Sequence, residues 1–77
     1  MSRDELSVIQ EIIAEEMEIS PSEITEEMSL EDDLEMDSTN ILQVLMACEV
    51  EFNVEYEPED IRQIKTVEDI LKSLSEW

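Results

Sequence analysis

Apolar positions recur along the chain in steps of three and four, and the steps divide it into segments. Leu6, Ile9, Ile13 and Met17 are spaced three, four and four apart, with Val8 and Ile12 beside them and Glu11, Glu15, Glu16 and Glu18 on the opposite side. This predicts a first amphipathic helix ending near Met17, its apolar face turned to a core. Ser2 and Glu5 stand three apart ahead of it, a pattern in which each side chain meets an orphan amide at a helix start. Ile19-Ser20-Pro21-Ser22-Glu23 then stops and restarts the chain. Ser20 can cap, Pro21 suits a first helical position and Glu23 stands where a capping acid belongs, so one short turn of helix is expected.

From Ile24 to Asp37 the periodicity fades and acids gather (Glu26, Glu27, Glu31, Asp32, Asp33, Glu35). The expectation is a long loop pinned by Ile24, Met28, Leu30 and Leu34, and a loop of that length in a small domain is often functional. A second helix is expected from Ser38 to Phe52, with Ile41, Leu45, Cys48 and Phe52 facing inward and Asp37 or Ser38 as N-cap. Its other side carries Asn40, Gln43, Met46, Glu49 and Val50. Exposure of Met46 and Val50 there would suit a docking surface, and a second core face fits the same pattern. Val54 and Tyr56 are expected to tuck inward from a connector. Pro58 opens a short helix through about Gln63, anchored by Ile61 and Ile64. Thr66-Val67-Glu68-Asp69 caps a last helix that places Val67, Ile70, Leu71 and Leu74 inward and ends near Trp77. The elements sum to an all-α four-helix bundle, with a long loop between helices one and two, a short third helix, and one domain over residues 1–77.

The absence of glycine and the presence of only two prolines agree with helices rather than hairpins. Charge adds more: 4 Lys plus Arg against 23 Asp plus Glu leave a net charge of −19. Such a surface repels nucleic acid and anionic lipid and favours basic patches on protein partners. The longest apolar run, Val44 to Cys48, is far too short to span a membrane, and Arg3, Asp4 and Glu5 do not resemble a signal peptide. With one cysteine, Cys48, no internal disulfide forms, and the thiol reads as a small buried apolar group. A soluble, cytoplasmic monomer is expected.

Candidate chemistry narrows quickly. Without histidine, a lysine beside a nucleophile or a glycine-rich phosphate cradle, intrinsic catalysis is not expected. Glu31-Asp32-Asp33 with Glu35 and Asp37 could attract divalent cations weakly. An EF-hand, however, needs a glycine at its sharp turn, and no dedicated metal site is expected. Ser38 remains. A serine at a helix start is ordinarily a cap. A helix N-terminus also suits a phosphodiester on that hydroxyl, and the acidic approach suits a basic modifying enzyme.

Asp33-Leu34-Glu35-Met36-Asp37-Ser38-Thr39 resembles the D-L-G-x-D-S-L motif of acyl carrier proteins. Val44 to Phe52 is similar to that family's second helix, and Thr66-Val67-Glu68-Asp69-Ile70 to the start of its last. The likeness covers essentially the whole chain. It implies that Ser38, preceded by the motif residue Asp37, receives 4′-phosphopantetheine from coenzyme A in a magnesium-dependent reaction of a phosphopantetheinyl transferase. It implies further that the arm's thiol carries acyl groups to separate ligase, synthase or acyl-transferring enzymes of fatty-acid, polyketide or related specialised biosynthesis. Glu35, Thr39, Asn40, Gln43, Met46, Glu49 and Glu51 are the expected partner contacts. The alternatives are a peptidyl or aminoacyl carrier, and an acidic interaction or cation-binding domain in which Ser38 only caps. Departures at five positions favour a specialised carrier. Glu35 stands for the motif glycine, so a glycine-only backbone conformation is not expected there. Thr39 replaces leucine, Asn40 and Gln43 are neutral where acids are usual, and Val50 is apolar.

Overall fold

The computed structural model describes residues 4–75. Its helices are α1 (Glu5–Met17), α2 (Ser38–Phe52), α3 (Pro58–Gln63) and α4 (Val67–Ser75), with a 3-10 turn at Pro21–Glu23. The expected bundle is therefore present, and α2 and α3 have the boundaries that their spacing predicts. Trp77, the expected end of the last helix, lies outside the described residues, as does Ser2.

Local chemistry sets each start. At α1 the cap is Asp4, whose carboxylate accepts from the Ser7 amide at 2.7 Å; this bond holds the Asp4 carboxyl below its usual range. Glu23 accepts from the Ser20 amide at 3.0 Å, and the Ser20 hydroxyl meets that of Ser22. Asp60 likewise accepts from the Glu57 amide at the start of α3. At α4 the expected T-x-x-D box is made in both directions, Thr66 Oγ1 accepting from the Asp69 amide and Asp69 Oδ2 from the Thr66 amide.

The chain from Ile24 to Asp37 is not loosely attached. Leu30 N–H donates to Lys65 C=O at 2.9 Å, Val67 N–H to Met28 C=O and Glu68 N–H to Glu26 C=O, around an antiparallel bridge between Ser29 and Thr66. The periodicity that defines helices does not signal such a pairing, because it lies in backbone groups far apart in sequence. Ile24, Leu30 and Leu34 are buried as expected and Met28 is half-buried; Met36 is a further anchor, only 3% exposed.

Helix α1 packs against α2 and α4. Ile9 and Ile13 of α1, Leu45 and Cys48 of α2, and Val67 and Ile70 of α4 form one core with Leu30 and Tyr56. The Tyr56 hydroxyl pairs with Ser73 Oγ at 2.8 Å, and Ser73 in turn donates to Ile70 C=O. Among the described residues no polar or charged residue is buried, so the core rests on apolar packing and backbone bonds.

Candidate functional site

Ser38 is the first residue of α2 and is exposed. Of the two candidate caps, Asp37 is the one used: its Oδ1 accepts from the Asn40 amide at 2.9 Å. Asn40 answers with Oδ1 accepting from the Asp37 amide at 3.1 Å, closing a reciprocal box. The Ser38 hydroxyl is thus left out of the capping bonds, which removes the ordinary reason for a serine at this place. The first amides of α2 belong to the orphan donors of a helix start and favour negative charge beside that hydroxyl.

Just ahead, Glu35 has φ 54, so the loop does make a left-handed turn where the family motif has glycine. This corrects the expectation drawn from the missing glycine. The left-handed region is costly for a residue with a Cβ, about 1 kcal/mol, but not closed to it. The turn is braced on both sides: Met36 N–H donates to Leu30 C=O at 2.9 Å, and Asp33 and Leu34 amides both reach Ser29 C=O.

Beside Ser38 lies a cleft of about 160 Å³, walled by Leu30, Ile41, Ile61 and Ile64 with Glu31 and Lys65 at its rim. It joins the loop, α2 and the α3 segment at Ser38. Sites that enclose a whole ligand run to about 300–1,000 Å³. A larger groove, about 340 Å³, runs between α1 and α2, but Ser38 is not on its wall.

The remaining candidates divide in two. Glu35, Thr39, Gln43, Met46 and Glu51 are exposed. Asn40 and Glu49 are half-buried and committed inward: Asn40 Nδ2 donates to Glu16 Oε2 at 3.0 Å, and Glu49 Oε2 accepts from the Tyr56 amide at 2.7 Å. Leu42, absent from the sequence-derived set, is 45% exposed and stands with Met46 (50%) and Val50 (85%) on one ridge at four-residue steps. That ridge starts at Ser38 itself and includes Met46 and Val50, whose exposure suits a docking surface; the four-residue stepping from Ser38 to Met46 is the signal that places Leu42 between them. Cys48 is fully buried, and burial, with the Glu49 and Glu51 carboxylates adding to it, pushes its thiol up to about 12. It is not a nucleophile in the folded chain.

These features agree with comparison to known proteins. Residues 7–74 match a family described as the phosphopantetheine attachment site. An acyl carrier protein of Petrotoga mobilis is 40% identical over 77 residues, covering 99% of this chain and 91% of that one. One from Bdellovibrio bacteriovorus is 38% identical over 66 residues, covering 86% and 85%. A solved Mycobacterium tuberculosis structure superposes with a TM-score of 0.87 at 30% identity, covering 94% of this chain and 96% of that one. The acyl carrier protein of Enterococcus faecalis gives 0.76 at 27%, covering 92% and 90%. The fold and the match define a phosphopantetheine-binding carrier. Within that class, the chain belongs to the acyl carrier protein family.

Proposed function

We propose that this chain works as a single acyl carrier domain with Ser38 as the residue that bears 4′-phosphopantetheine. The observation that carries the assignment is the Ser38 hydroxyl, exposed at the start of α2, outside the Asp37–Asn40 cap and beside an apolar cleft. When bound, the group supplies a terminal thiol that holds an acyl chain as a thioester.

The chain's own residues do the rest. Asp37 and Asn40 hold the helix start, and the α2 amides favour the phosphodiester. Ile41, Ile61 and Ile64 offer apolar wall to the part of the cargo that enters the cleft, while its small volume leaves the remainder outside unless α2 and α3 part. Glu35, Asp37 and Glu51 attract basic partner surfaces, and Thr39, Gln43 and Met46, joined by Leu42 and Val50, meet them along the exposed ridge. These partners are a phosphopantetheinyl transferase and the separate enzymes that load and unload the arm. The ridge is neutral and apolar where acids would be usual, which supports a dedicated pathway of fatty-acid, polyketide or related specialised biosynthesis. Among the described residues no helix is long and apolar enough to cross a membrane.

Intact mass after incubation with coenzyme A, magnesium and a broad-specificity transferase tests the assignment. The wild type is expected to gain one phosphopantetheine arm and Ser38→Ala none. Equal gain on both would move the attachment elsewhere. No gain in vitro or on protein from its native host would return Ser38 to a surface serine.

A further inference from the structure

Asn40 makes three bonds in one place. Its amide N–H donates to Asp37 Oδ1, its side-chain Oδ1 accepts from the Asp37 amide, and its Nδ2 donates to Glu16 Oε2 on α1 across 24 residues of sequence. The third bond is partly buried and ties the Asp37–Ser38 turn to the helix against which α2 packs. A side chain here has to accept with one atom and donate with the other. An amide does both. A carboxylate accepts only, and would set a second negative charge against Glu16. Gln43, the other side-chain amide of α2, lines the α1–α2 groove together with Glu15 and Glu16. Both side-chain amides of α2 thus lie near acids of α1, Asn40 by a direct hydrogen bond and Gln43 across a shared groove.

We propose that Asn40 is a positioning residue for Ser38: through Glu16 it fixes the Asp37–Ser38 turn on α1, and Glu16 is the reason position 40 holds an amide rather than an acid. This rests on Ser38 being the modified residue. It also separates Asn40 from the docking contacts, because its polar atoms are already engaged within the chain.

The test uses Asn40→Asp, Glu16→Gln and the pair together. One readout is kcat and KM for arm transfer to Ser38, followed by intact mass. The other is amide hydrogen exchange at residues 38–40 of the unmodified chain, at a temperature where a melting curve shows each variant folded. Asn40→Asp is expected to lower kcat about tenfold, with KM nearly unchanged, and to speed exchange at the helix start. Glu16→Gln alone stays near wild type, since its carbonyl still accepts from Asn40. The double variant recovers both readouts, because the glutamine amide donates to the new carboxylate. A double variant no better than Asn40→Asp overturns the inference, as does an effect of Asn40→Asp confined to KM, which would make Asn40 a docking contact. A wild type that gains no arm overturns the Ser38 reading and the role of Asn40 with it, whereas a modified wild type without rescue overturns the Asn40 inference alone.

Discussion

Glu18, Glu35 and Asn53 hold the backbone at φ 57, 54 and 55, and the chain has no glycine with which to relieve them. Glu18 and Asn53 end α1 and α2, where a left-handed residue lets the last turn close on itself. Asparagine tolerates the region better than glutamate. Glu18→Gly and Glu35→Gly are therefore expected to raise stability by about 0.5–1 kcal/mol each, part of the relief being lost to the freer unfolded chain. Urea unfolding would measure it, and a loss of stability would show that the glutamate side chains hold these turns by other means. The cap separates Asp37 from Ser38 in the same way. Asp37→Ala is expected to lose about 1 kcal/mol and Ser38→Ala only a few tenths, so on the proposed assignment stability and modification respond to neighbouring residues. Sequence reading placed Ser38 correctly at the head of α2 but left two capping candidates open. Only the Asp37–Asn40 distances decide between them, and nothing in residue type announces that Asn40 also reaches Glu16.

Helix α4 owes its start to Asp69. Partial burial pushes its carboxyl up, but the Lys65 and Thr66 amides that it accepts, with Lys72 nearby, outweigh this and leave it below its usual value of 3.8. A lowered folded-state value stabilises the fold above the unfolded value and is lost as pH falls through the folded one. Asp69→Ala is thus expected to lower stability by about 1 kcal/mol at pH 7. The gap to wild type should shrink as pH drops below 3.8, in melts taken at several pH values. A gap that stayed constant across that range would mean that charge on Asp69 is immaterial. The helices were legible because their cores repeat at helical spacing and their starts carry Ser, Thr, Asp or Pro at the right offsets. The strap between Met28–Leu30 and Lys65–Val67 was not, since any residue supplies its backbone bonds. The cleft beside Ser38 was not legible either, because it is walled by Leu30, Ile41, Ile61 and Ile64, residues that read from sequence as ordinary core.

At the scale of the whole molecule, a charge of −19 surrounds a core with no buried ion pair among the described residues. The Lys72–Glu68 pair, 3.8 Å apart and exposed, offsets little of it. Self-repulsion between acids reaches about 30 Å at 0.01 M salt and about 8 Å at 0.15 M. The melting temperature is therefore expected to climb over that interval with sodium chloride alone. A flat curve would show that the acids are far enough apart to ignore one another. Burial of Cys48 has an effect that belongs to the arm-bearing protein rather than to its folding. A carrier arm ends in a thiol, and a second reactive thiol on the same small body would invite the arm to close on its own scaffold under mild oxidation. With Cys48 fully enclosed and held in its protonated form, that self-capture is suppressed. The native chain before modification should stay silent to a thiol-titrating reagent. After modification, and before any acyl group is attached, it should report one equivalent, so that the titre counts the arms present.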